Sequence, residues 1–191
     1  MNTRYRGLEQ DEVAERVTRL TKERQLEILR HAIDLPSYDI TSFEYRRIDD
    51  MIPAVEEQFQ LEAVNFATVS GKRIFITPNF ISKNTTRLNN TGVRKYDIVY
   101  PYAFMHEDTI SIRIPDGYVI ESMPKDVIIN NQFGQYEIRF AVDENGMLTC
   151  TRLYKRSENR FPPDAYPELV KFYDGIFKAD RSKMVFVKKE S

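Results

Sequence analysis

The feature that most restricts this chain is a change of hydrophobic period. Apolar residues recur with a helical spacing only near the two ends, and with a spacing of two through most of the interior. From Glu9 to Ile33, the residues Val13, Val17, Leu20, Ile28, Leu29, Ala32 and Ile33 fall along one helical stripe, with Asp11 and Glu12 placed favourably in the first turn. Arg24 interrupts the stripe, so a bend or a break into two helices is expected near Thr21, and Pro36 ends the segment. Residues 3–7, closing at Gly7, form a candidate first strand. After Pro36 the pattern alternates: Tyr38 to Tyr45, Val55 to Phe66 with Phe59 and Leu61 on one face, and Val69 to Ile76 turned at Ser70-Gly71.

Residues 77–93, rich in Asn and Thr with Pro78 and Gly92, read as a long loop. Strand patterns return at 96–104, 109–114, 118–122, 126–130, 135–142 and 147–155. Their separators are Pro115-Asp116-Gly117, Pro124, Phe133-Gly134 and Glu144-Asn145-Gly146, the last being the strongest hairpin signal. Phe161-Pro162-Pro163-Asp164 then opens a helix over 165–179 with Leu169, Phe172, Tyr173 and Ile176 on one face, and Met184 to Val187 reads as a closing strand. Nine or ten strands with helices only near the ends predict an α+β, mostly antiparallel, β-sandwich-like domain, with an N-terminal helix and a C-terminal helix plus closing strand. The expected division is a strand-and-helix segment at 1–35 and a β-rich sandwich domain at 36–191, packed as one compact unit.

With 191 residues, such a chain buries roughly 70% of its unfolded surface and needs no disulfide or metal to fold. Its 28 basic and 29 acidic residues nearly cancel, so no field draws nucleic acid or an anionic membrane. No apolar run approaches the roughly 20 residues of a membrane span, and Met1 to Arg6 lacks the apolar core of a signal peptide.

Chemistry-bearing residues are sparse. The single cysteine, Cys150, excludes an internal disulfide and a cysteine zinc site. It lies in an alternating strand, whereas a nucleophilic thiol needs a base, a lowered pKa and an oxyanion site. The two histidines are His31, late in the first helical segment, and His106, expected in a turn Met105-His106-Glu107-Asp108 between two strands. His106, Glu107 and Asp108 are possible metal ligands, but three neighbours on a turn rarely converge on one ion. The pairs Asp49-Asp50 and Glu56-Glu57 raise the question of glycosidase carboxylates, yet neighbours on a strand point to opposite faces. Ser70-Gly71-Lys72 is a turn and not a phosphate loop. Lys155, Arg156 and Arg160 with Tyr154 and Phe161 come nearest to a basic aromatic patch, and read better as a solvated strand-to-helix connection. The expectation is therefore no catalytic residue, no metal ligand, no cofactor and no assignable binding residue.

Several stretches in order carry a family resemblance: Tyr5-Arg6-Gly7-Leu8, Gly71 to Phe80, Ile112-Arg113-Ile114-Pro115-Asp116-Gly117-Tyr118 through Pro124, Gly134-Gln135-Tyr136, Tyr166-Pro167-Glu168-Leu169, Phe172-Tyr173 and Lys178-Ala179-Asp180. The series resembles the C-terminal, non-catalytic β-rich region, a domain of unknown function, of multidomain transglutaminase-like proteins of Gram-negative bacteria. The resemblance implies an upstream transglutaminase-like core as partner and a periplasmic or cell-envelope location for the parent. It imports no catalysis: the family's Cys-His-Asp triad belongs to the core, and Cys150 does not match its setting. The expected role is that of a non-catalytic accessory domain beside the substrate cleft of that core. The alternative is an independent module binding a polypeptide or glycan through a Tyr-lined groove.

Overall fold

The computed structural model describes residues 1–33, 35–64, 66–89 and 94–189, and divides into two compact units, Met1–Phe66 and Ala67–Ser191. The boundary expected at residue 35 thus falls inside the first unit, because of the two strands that follow Pro36 the second pairs with both the first and the strand that precedes the helices.

In the first unit, β1 (Asn2–Arg6) leads through Gly7 into α1 (Leu8–Arg19), then α2 (Lys22–Ala32), β2 (Tyr38–Ile48) and β3 (Ala54–Ala63). The sheet is antiparallel in the order β1-β3-β2, with a bulge between Ile40 and Ser42. The helical segment breaks where expected. The Thr21 hydroxyl accepts the amide of Arg24 and starts a new helix, while the buried Gln25 donates its amide to the carbonyls of Val17 and Leu20 at 3.2 and 3.0 Å. These bonds satisfy carbonyls that the end of α1 would leave orphaned. The break also resets the helical phase. Leu29 and Ile33 join Ile40 and Phe59 in the core, with Leu26, Phe43 and Leu61 against them, whereas Ala32 is exposed.

The second unit holds β4 (Thr68–Ser70), β5 (Arg73–Ile76), β6 (Ile98–Val99), β7 (Phe104–Arg113), β8 (Tyr118–Ser122), β9 (Val127–Asn131), β10 (Gly134–Val142), β11 (Met147–Arg156) and β12 (Arg160–Phe161). A 3-10 turn at Pro163–Ala165 leads into α3 (Tyr166–Ala179), and β13 (Met184–Lys188) follows. All pairings are antiparallel, in the orders β7-β11-β10-β9, β4-β5-β13-β8 and β12-β6. The fold is α+β, mostly antiparallel and sandwich-like, as the periodicity predicts.

One local expectation changes. The turn placed at Met105 to Asp108 does not exist: β7 runs straight through it, because Phe104, His106, Asp108, Ile110 and Ile112 keep one inward phase without interruption. The expected closing strand forms as β13 and sits inside its sheet, between β5 and β8. The hairpin at Asp143 to Gly146 forms as expected: Gly146 takes a φ of +71°, and the Asp143 carboxylate accepts the amides of Asn145 and Met147 at 2.9 and 2.8 Å. Gly92 of the long loop lies outside the described residues. The core gathers Phe133, Tyr136, Ile138, Leu148, Leu169, Phe172, Ile176, Met184 and Phe186.

Candidate functional sites

Strand register places the expected chemistry on one inward face. Cys150 lies opposite Ile110, Arg152 opposite Asp108, and Tyr154 opposite His106. A cysteine, a histidine and a carboxylate therefore share the β7–β11 face, but their environment makes a poor nucleophile. Cys150 is buried, and its thiol is pushed up to about 12 by that burial and then by the charges of Asp108 and Asp180, against the opposing pull of Arg152. At neutral pH the sulfur keeps its proton. Asp108 is engaged by Arg152 at 3.3 Å, and the His106 ring stacks on Phe104 with centroids 4.7 Å apart. His31 is an exposed residue of α2 in the other unit. Among the described residues no three His, Cys, Asp or Glu side chains cluster as a metal site.

The most completely built polar site is one that periodicity did not single out. Asp180, fully buried just past α3, accepts on one oxygen from Asn79 Nδ2 at 2.7 Å, Tyr136 OH at 2.8 Å and Arg152 Nε at 2.8 Å. Its other oxygen accepts from the Asn84 amide at 2.8 Å and Arg152 Nη2 at 3.3 Å. Burial and the adjacent Asp180 charge raise the Tyr136 hydroxyl above its ordinary pKa. With both oxygens occupied by protein donors, this carboxylate joins α3, β10, β11 and the 77–89 loop, and its lone pairs are committed to structure. Two signals could have revealed it. An acid at a helix C-terminus opposes the macrodipole, and Arg152 interrupts the inward series Leu148, Cys150, Tyr154.

The basic aromatic patch separates by the same alternation. Tyr154, Arg156 and Phe161 are buried, whereas Lys155 and Arg160 are exposed, with Arg160 held by Asp97 at 2.9 Å. Arg156 lies 3.7 Å from the Tyr100 ring centroid and 4.7 Å from that of Phe104, and donates to the Tyr102 carbonyl at 3.2 Å. This is a packed cation–π box rather than a solvated connection.

In the first unit Glu56 and Glu57 point to opposite faces, as alternation requires. Glu57 is buried and accepts the hydroxyls of Tyr5 and Tyr45 at 3.1 and 2.6 Å; burial, followed by the Glu57 charge and hydrogen bond, raises both phenols. Glu56 lies on the open face and is gripped by Arg46 at 3.1 and 2.5 Å, which holds its carboxyl below the usual range. On this open face a shallow groove of about 510 Å³ runs over Ser42, Glu44, Gln58 and Gln60, and an adjoining one of about 300 Å³ continues over Arg46 and Glu56. It offers amide, hydroxyl and carboxylate groups rather than the expected tyrosines; Phe43 and Phe59 also border it, but their rings pack with the core on the opposite face of the sheet.

No curated protein matches this chain. A solved structure of a "putative protease" from Parabacteroides distasonis ATCC 8503 shares its fold, with a TM-score of 0.50 and 15% sequence identity over 60% of this chain. The likeness spans only 23% of that longer protein. Among the described residues no helix is long and apolar enough to cross a membrane. The pattern of a domain of unknown function with a solved structure, DUF3858, matches residues 72–186, more than half the chain and most of the second unit, and the chain belongs to that family.

Proposed function

We propose that this chain is a non-catalytic accessory part of a larger, transglutaminase-like protein of the bacterial cell envelope, where it packs beside a catalytic core and shapes access to its substrate cleft. The carrying observation is Cys150. The chain's only cysteine is sealed inside a sheet with its thiol pushed up to about 12, where a transamidating or thiol-protease nucleophile must be accessible and ionisable. Two further observations support the larger parent: the ordered motif series resembles that family's non-catalytic region, and the fold neighbour named as a protease is several times longer than the shared portion.

The test is an assay of amine incorporation and peptide cleavage by the purified chain and its Cys150→Ala variant, alongside the parent protein with and without residues 67–191. No turnover by the chain is expected, and the parent's specificity or rate should change on deletion. Turnover by the chain that disappears in Cys150→Ala would overturn the proposal.

The groove over Ser42, Glu44, Gln58 and Gln60 favours a second reading, a module that binds an extended polypeptide or glycan through hydrogen bonds to that face. Titration calorimetry with casein-derived peptides and with soluble oligosaccharides discriminates. Heat that is lost in Glu44→Ala and Gln58→Ala supports the binding module, and no heat with either class of probe sinks it.

A further inference from the structure

We infer that the outer edge of β7 is a self-pairing surface, on which a second copy of this chain adds its own β7 in antiparallel register, centred on Ile110. In the sheet β7-β11-β10-β9 the ten-residue strand Phe104–Arg113 is an edge, and among the described residues no strand pairs with its outer side. An edge of that length presents a row of main-chain donors and acceptors that only another extended backbone satisfies along its whole length.

The side chains of β7 select a second copy as that backbone. Residues Met105, Glu107, Thr109, Ser111 and Arg113 are exposed on one face, and the alternate residues are turned inward. Directly opposed residues of an antiparallel pair share a face. With Ile110 opposite its own copy, Thr109 meets Ser111, a hydroxyl pair, and Glu107 meets Arg113, an opposite-charge pair; the two-fold axis makes each occur twice. The neighbouring registers are worse. Centring on Asp108 sets that carboxylate against its own copy, and centring on Thr109 leaves Glu107 opposite Ser111 with no charge pair. Centring on Ser111 or Ile112 runs Glu107 past the end of the strand at Arg113. The charges of this strand are thus complementary to themselves in one register, and pairing there makes one eight-stranded sheet across two chains.

This pairing is independent of the accessory role, since an accessory domain can be monomeric or dimeric. Sedimentation equilibrium of the 191-residue chain should show a concentration-dependent dimer. Glu107→Arg and Arg113→Glu should each raise its dissociation constant by about tenfold or more, and the double charge swap should restore it. Both residues are exposed, and unchanged thermal unfolding of the single variants excludes a folding defect. Register is tested separately by oxidising a mixture of Thr109→Cys and Ser111→Cys chains, which should cross-link faster than either chain alone; Cys150, buried, does not compete. A chain that stays monomeric overturns the inference. So do a dimer indifferent to both charge reversals and a mixture that cross-links no faster than its components.

Discussion

Asp180 and Arg152 form a buried ion pair in which one carboxylate oxygen lies 2.8 Å from the guanidinium Nε, with the carboxylate fully buried and the arginine side chain 4% exposed. Because each charge has been taken out of water, the pair holds the second unit together chiefly through what its loss would strand. Replacing Asp180 leaves the buried guanidinium with only the partly exposed Asp108, 3.3 Å away, as its counter-charge, and replacing Arg152 leaves the fully buried carboxylate with none. Asp180→Ala should therefore cost about 3–5 kcal/mol, measured by urea unfolding. The double variant Asp180→Leu/Arg152→Met should cost distinctly less than the two single changes combined, since neither member of the buried pair is left without the other. Strict additivity in that cycle would show that the two residues do not act as a pair.

Cys150 should resist thiol reagents until the chain unfolds. Its sulfur is covered, and the pKa near 12 leaves almost no thiolate at pH 8. Labelling by iodoacetamide should be negligible in buffer and complete in denaturant; prompt labelling of the native chain would refute the buried, protonated thiol.

The same shift fixes a pH dependence. The native thiol keeps its proton up to about 12, while the unfolded thiol releases it near its ordinary 9.0, so between those values the unfolded state binds fewer protons. Stability therefore falls as pH rises through that window. The phenols of Tyr5, Tyr45 and Tyr136, all raised, act in the same direction above pH 10. The thermal midpoint should hold from pH 7 to 9 and drop from there upward. A midpoint that rises with pH over this range would contradict the burial of these groups.

Most of the architecture was legible because periodicity and turn chemistry are local properties. The hairpin at Asn145-Gly146, the break at Thr21 and the helix carrying Leu169, Phe172, Tyr173 and Ile176 could each be read within a few residues. The unit boundary was not, since it depends on β1 pairing with β3 across some fifty intervening residues. Nor was the interior placement of β13, whose neighbours β5 and β8 are far away in sequence. The Asp180 site failed for the same reason: Asn79, Tyr136, Arg152 and Asp180 lie on four separate segments, and the local signs were confined to Arg152, a cation in an inward strand phase, and Asp180, an acid at a helix C-terminus.

The C-terminal helix is a structural member of its unit. Phe172 is 2% exposed and packs against Phe133 and Tyr154, with ring centroids 6.3 and 6.1 Å away. Phe172→Ala should cost about 3–5 kcal/mol through lost burial and the cavity left behind. Deleting residues 164–191 should abolish cooperative unfolding of the second unit, because β13 leaves with α3 and β5 loses its pairing to it. A deletion that still unfolds cooperatively would show that α3 is dispensable to the core.

Gly134 gives the sharpest local test, because two independent constraints meet there. It opens β10 with a φ of +145°, a backbone conformation that side-chain-bearing residues rarely adopt. A Cβ at this position would also lie 2.0 Å from the backbone carbonyl oxygen of Lys155 on β11, a contact that no rotamer change relieves. Gly134→Ala must therefore strain the turn, push β11 outward, or both. Displacing that strand disturbs the register that sets Arg152 against Asp180 and Arg156 between Tyr100 and Phe104. The backbone strain alone is worth about 1–3 kcal/mol, and the displacement adds to it. By contrast, Gly117, with a φ of +79° and no heavy atom within 4 Å of the point a Cβ would occupy, carries the conformational penalty without the clash. Urea unfolding should rank Gly134→Ala well below Gly117→Ala in stability, and equal losses at the two sites would mean that the close approach of β11 to Gly134 is not real.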